Sequence, residues 1–117
     1  MEKLDRLGWT AGMSFMAYGT RFGIRANDPE VLERVLPHLP LGWATDSSPT
    51  VDFLYSILVG GPGKRKGVRR YNLLYAGSGR LVRALDIAEV FTQLESHLEL
   101  LTAYLAKDYW LMLRTSA

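Results

Sequence analysis

Between Phe53 and Leu85 the chain carries seven basic side chains (Lys64, Arg65, Lys66, Arg69, Arg70, Arg80, Arg83) and no acid. That stretch holds +7, the remainder −5, and the whole chain +2. Five of the cations, Lys64, Arg65, Lys66, Arg69 and Arg70, crowd just before Tyr71 and form the candidate anion-binding segment. Clustered cations release counterions from a phosphate backbone, and a neighbouring tyrosine can stack on an exposed base. The same cluster also suits a solvated strand edge, where cations discourage sheet-to-sheet aggregation. Gly60-Gly61-Pro62-Gly63-Lys64, just before it, looks like a phosphate loop only at first sight. The functional pattern separates its glycines by four residues and ends in Lys-Ser or Lys-Thr where a strand turns into a helix. Here the spacing is shorter, Arg65 follows Lys64, and Pro62 removes an amide hydrogen from the cradle.

Other chemistry is sparse. Cysteine is absent, which excludes disulfides, thiolate metal sites and cysteine nucleophiles. His38 and His97 lie far apart and form no local metal pattern; His38 reads as a loop residue and His97 as a half-exposed helix residue. Ser14, Ser47, Ser48 and Ser56 lack the flanking glycines of a nucleophile elbow. Asp46 with Asp52, or Glu95 with Glu99, are better read as solvated acids than as an acid–base dyad. The expectation is a non-catalytic protein with no cofactor and no metal.

What positions these residues is a chain of 117 residues, 48% hydrophobic and 22% charged, which suits a single domain over 1–117 with a flexible stretch at 1–11. The start, Met1-Glu2-Lys3-Leu4-Asp5-Arg6, alternates charge and lacks the apolar run of a signal peptide. No stretch reaches the ~20 apolar residues of a spanning helix. The expected setting is the cytoplasm, without membrane attachment.

Residues 12–26 alternate as a hairpin turning at Gly19-Thr20. Asp28-Pro29-Glu30 then opens a short helix with Val31, Leu32 and Val35 inward, ended by Pro37 and Pro40. Glu30 stands four residues before Arg34, in the stabilising order. Residues 41–49 read as a connecting loop from which Trp43 folds back onto the core. A strand over 51–59, with Val51, Phe53, Tyr55, Ile57 and Val59 on one face, leads through a glycine-rich connection to strands at 69–76 and 80–84, an antiparallel meander. Asp86 and Glu89 start a long helix whose stripe is Ile87, Phe91, Leu94, Leu98, Leu101 and Leu105, widened by Val90, Leu100 and Tyr104. Tyr109–Arg114 reads as a last strand. The predicted fold is therefore α+β: a mainly antiparallel sheet, one short helix, and one long C-terminal helix packed on one face.

From Tyr18 onward the chain resembles the N-terminal region of bacterial proteins related to the HPr serine kinase. The resemblance is carried by Tyr18-Gly19-x-x-Phe22-Gly23-Ile24-Arg25, Asn27-Asp28-Pro29, Val31-Leu32-Glu33, and Leu36-Pro37 to Leu39-Pro40-x-Gly42-Trp43. It continues through Val51-Asp52-x-x-Tyr55-Ser56, Gly60-Gly61, Leu73-Leu74-Tyr75-Ala76-Gly77 and Leu94-Glu95-Ser96-x-Leu98. In that group this region precedes a histidine-bearing strand and then a phosphate loop. Here Arg114 stands where the histidine is expected, and the chain stops at Ser116-Ala117 before any phosphate loop. The resemblance thus implies an accessory domain without the kinase core, since phosphoryl transfer needs a phosphate cradle and a magnesium site.

The expected function is docking, to a protein partner or to a second copy, with Tyr109, Trp110, Leu111 and Leu113 of the last strand as candidate partner-binding residues. The alternative is a nucleic-acid or polyanion-binding module using segment 64–70.

Overall fold

In a computed structural model, residues 2–3, 9, 11–48, 50–60 and 71–115 are described, without the side chains of 2–3 and 106–115. The strands are β1 (Glu2–Lys3), β2 (Ala11–Ala17), β3 (Thr20–Ala26), β4 (Ala44–Asp46), β5 (Thr50–Val51), β6 (Phe53–Leu58), β7 (Asn72–Ala76) and β8 (Gly79–Ala84). The helices are α1 (Pro29–Val35), running into a 3-10 turn at Leu36–His38, and α2 (Ile87–Thr115). Six strands form one sheet in the order β4-β2-β3-β6-β7-β8, and β1 pairs separately with β5. The architecture is α+β, as the sequence predicts.

The β2–β3 hairpin pairs Phe15 with Phe22 and turns at Tyr18-Gly19, one residue earlier than expected. Both turn residues have positive φ, 51° and 72°. That is the handedness that two-residue hairpins require, and glycine reaches it without a steric cost. Tyr18 has no such freedom.

From β3 the chain crosses through α1 and β4 before β6 pairs with β3 in parallel, Phe22 beside Phe53 and Ile24 beside Tyr55. The sheet is therefore mixed. β6, β7 and β8 then form the predicted antiparallel meander. The expected strand 51–59 is broken at Asp52, whose carboxylate accepts from the Arg21 N–H (3.0 Å) while its own N–H donates to the Arg21 carbonyl (2.8 Å). Ser56 shares no face with Tyr55 and Ile57 but is still buried, at 2% exposure, because β6 is an inner strand of the sheet.

Two segments take a different secondary structure from the one expected. The stretch 41–49 is more than a loop: β4 pairs with β2, Phe15 opposite Thr45. Three residues are too few for an alternation to register in the sequence. The stretch 109–114 belongs to helix α2, not to a last strand. Tyr and Trp favour strands only weakly and by context, and no Gly or Pro falls between Asp86 and Thr115 to stop a helix already under way.

The core lies between the helices and one face of the sheet. Phe15, Phe22, Ile24, Tyr55, Ile57 and Leu74 meet Val31 and Val35 of α1 and Val90, Phe91, Leu94 and Leu98 of α2. Phe15 and Phe22 stack at 5.1 Å, and the half-buried Trp43 sets its edge on Phe15 at 6.3 Å, closing the core as predicted. Asp28 caps α1 by accepting from the Glu30 N–H (3.0 Å), and Asp86 caps α2 by accepting from the Ala88 N–H (3.0 Å). Arg34 lies over the Phe91 ring at 5.0 Å, tying α1 to α2. Leu100 and Tyr104 do not widen the buried stripe; they are 75% and 69% exposed.

Candidate functional site

The face of the sheet turned away from the helices collects the charge. Strand registers place Arg21 and Arg25 of β3, Ser56 and Leu58 of β6, and Leu73 and Tyr75 of β7 on it. In β8 a bulge decides the composition. Tyr75 pairs with Arg80 and Leu73 with Arg83, with a register shift between Leu74 and Tyr75. In a regular strand, residues three apart point to opposite faces; the extra residue of the bulge brings Arg80 and Arg83 to the same one. Both arginines are exposed.

Aromatic rings accompany these cations. The Arg25 guanidinium lies 4.4 Å from the centre of the Trp9 ring, and its Nε donates to Ser56 Oγ at 2.8 Å. The Arg83 guanidinium lies 4.4 Å from the centre of the Tyr71 ring. Trp9, Arg25, Ser56, Leu58 and Tyr75 line a cleft of about 270 Å³ that reaches the Gly77-Ser78 turn. Asp46 is the carboxylate on this face among the strand residues described, and it is engaged by Arg21 at 3.1 Å.

On the helix side, two histidines contact the core. The Tyr55 hydroxyl and His97 Nδ1 are 2.6 Å apart, with the rings edge to face at 5.5 Å. Burial pushes the Tyr55 phenol well above its ordinary range, so it stays protonated at neutral pH and can donate to the imidazole. The pair joins α2 to the centre of the sheet beside a cleft of about 360 Å³ that also includes Asp52. His38 stacks on Phe91 at 5.5 Å, and its Nδ1 stands 3.7 Å from Glu95 Oε1, too far for a hydrogen bond. A wider cleft of about 430 Å³ runs beside it, with Tyr18, Pro37, Leu39, Leu41 and Ala103 in its apolar wall and Glu95 and Glu99 at its rim. Among the described residues no group of three or more His, Asp or Glu side chains is placed to hold a metal ion.

The predicted anion-binding residues Lys64, Arg65, Lys66, Arg69 and Arg70 lie outside the described residues. The two ends of their connection are tied together: Asn72 accepts from the Gly60 N–H (3.0 Å) and donates to the Leu85 carbonyl (3.1 Å). Tyr109, Trp110, Leu111 and Leu113 are brought together on the last turns of α2 rather than on a strand edge. Sequence reasoning missed the grouping of Arg25, Arg80 and Arg83 with Trp9, Tyr71 and Tyr75. The basic count over 53–85 hinted at it, but strict alternation assigns Arg80 and Arg83 to opposite faces.

Comparison with known protein families, curated proteins and solved structures finds no match to this chain. None of these comparisons links the chain to the HPr-kinase-related group.

Proposed function

We propose that this chain is a non-catalytic docking domain that pairs with a second copy through the distal half of α2. The observation that carries the reading is that Tyr109-Trp110-Leu111-Met112-Leu113, five consecutive apolar residues, lies inside a helix. At about 100° per residue such a run covers every side of the helix, and one sheet can cover only one of them. Leu100 and Tyr104, one turn apart and largely exposed, extend the apolar surface back toward the domain.

The sequence of the segment favours a copy of itself. Glu99 stands at one end and Arg114 at the other, with Lys107-Asp108 near the middle. Two such helices laid antiparallel with Glu99 opposite the second copy's Arg114 match acid to base at both ends, which suits a two-fold interface. A cysteine-free domain of this kind suits the cytoplasm. An HPr-kinase-like system is the setting that the motif resemblance suggests, and self-pairing does not depend on it.

The non-catalytic reading is supported by the packing of these groups into the fold: the Tyr55 hydroxyl and His97 Nδ1 engage each other at 2.6 Å, and the His38 ring stacks on Phe91 at 5.5 Å.

Sedimentation velocity tests the reading. The chain is expected to be a dimer at about 100 µM, and Leu111→Glu, which keeps a good helix former, is expected to weaken pairing at least about ten-fold. A wild-type chain that stays monomeric at that concentration overturns the proposal. So does a Leu111→Glu variant that dimerises like the wild type.

A further inference from the structure

We infer that the cleft beside the Tyr55–His97 pair binds a small organic cation whose ammonium group lies a few bonds from a carbonyl oxygen, a function beyond the self-pairing proposed for α2. The cleft holds about 360 Å³, within the range of small-molecule sites, and Phe53, Leu54 and Ala76 form its apolar wall. Two polar side chains, Asp52 and His97, converge on it. Each is held in place, and each has one hydrogen-bonding position left over.

His97 is the donor. Its Nδ1 meets the Tyr55 hydroxyl at 2.6 Å, and burial keeps that phenol protonated. The phenol therefore donates, and in the neutral imidazole the ring proton sits on Nε2. No acceptor among the described residues takes it. Asp52 is the acceptor. Its Oδ2 accepts from the Arg21 N–H at 3.0 Å and its own N–H donates to the Arg21 carbonyl at 2.8 Å, which fixes the carboxylate and leaves Oδ1 open. The Arg21 guanidinium turns to Asp46 at 3.1 Å, so no Lys or Arg among the described residues neutralises Asp52.

That charge selects the ligand. A carboxylate with no cation beside it attracts an ammonium group and repels phosphates and other carboxylates. The imidazole N–H then takes the carbonyl oxygen. The Phe53 ring is braced on Phe22 at 5.6 Å yet keeps 37% exposure, so it offers the body of the ligand a fixed apolar surface. Tyr55 acts through His97 and is a positioning residue.

The test is a titration of the full chain with N-benzyl-β-alaninamide, which carries the ammonium, the carbonyl and an aromatic body, followed through the imidazole nitrogen shifts in NMR. The Nε2 resonance of His97 is expected to move saturably, with half-saturation at about 1 mM. The N-acetylated probe keeps the ring and the carbonyl without the charge, and should bind at least about ten-fold more weakly. Asp52→Asn keeps an acceptor for the Arg21 N–H and should lose affinity by the same factor. Tyr55→Phe should let the ring proton redistribute between Nδ1 and Nε2, seen in the nitrogen shifts before probe is added, and should weaken binding a few-fold. Leu111→Glu should bind like the wild type, which separates this inference from the pairing proposal. No saturable shift at about 20 mM probe overturns the inference. So does equal affinity for the acetylated probe, wild-type affinity in Asp52→Asn, or an unchanged nitrogen pattern in Tyr55→Phe.

Discussion

Replacing Tyr55 by Phe removes one oxygen from the centre of the domain and leaves the ring. The ring is essentially buried, and its edge-to-face contact with His97 survives the change. What disappears is the 2.6 Å hydrogen bond to Nδ1 of the half-buried His97. A net loss of about 1–1.5 kcal/mol is expected at pH 7, or about 5 °C in Tm for a chain of this size. The alkaline side carries the sharper signature. Burial raises the folded-state pKa of Tyr55, so the native state holds its proton after the unfolded chain has released it. Where the native state binds more protons than the unfolded state, stability falls as pH rises. The wild type should therefore be unaffected by this group below about pH 10, the ordinary tyrosine value, and lose about 1.4 kcal/mol per pH unit above it. Tyr55→Phe lacks that limb. The two stability curves should converge near pH 11, where the alkaline loss offsets the hydrogen bond. Urea unfolding of both proteins from pH 7 to about pH 11.5 measures this directly, the remaining tyrosines cancelling in the difference. If Tyr55→Phe matches the wild type at pH 7, the bond contributes nothing; if the wild type keeps its full advantage at about pH 11.5, the burial argument fails.

Two further substitutions probe the ends of the sheet. Asn72→Ala strips partners from the Gly60 N–H and the Leu85 carbonyl and should cost about 2 kcal/mol, read as a lower urea midpoint with an unchanged slope. Tyr18→Asn creates an Asn-Gly turn at a position whose φ is +51°, relieving a backbone that tyrosine adopts at a cost. It should stabilise the chain by about 1 kcal/mol, a rise of about 4 °C in Tm, and a variant no more stable than the wild type would show that the turn holds no strain.

Much of this fold is local in origin and therefore legible in the sequence. Asp28-Pro29 and Asp86 start helices through contacts within one turn, and the alternation of Met13, Phe15 and Ala17 with Phe22, Ile24 and Ala26 is a hairpin wherever the rest of the chain goes. The stripe Phe91, Leu94, Leu98 follows from helix geometry alone. The parallel pairing of β3 with β6 leaves no local mark, because it joins segments about thirty residues apart. The same is true of β4, whose three residues become a strand only because β2 has an edge to pair with.

The candidate site divides in the same way. Composition alone showed a basic middle to the chain and an apolar run at 109–113. Whether that run is a strand edge or a helix depended on α2 continuing past Lys107-Asp108, a question of propagation rather than of residue type. The cationic and aromatic face exists because one extra residue in β8 reverses the alternation between Arg80 and Arg83. Periods of two and 3.6 are properties of the backbone, so the sequence by itself determined the elements and their buried sides. Register and partner are properties of surfaces meeting across the fold, so only the tertiary structure decided which charges share a face.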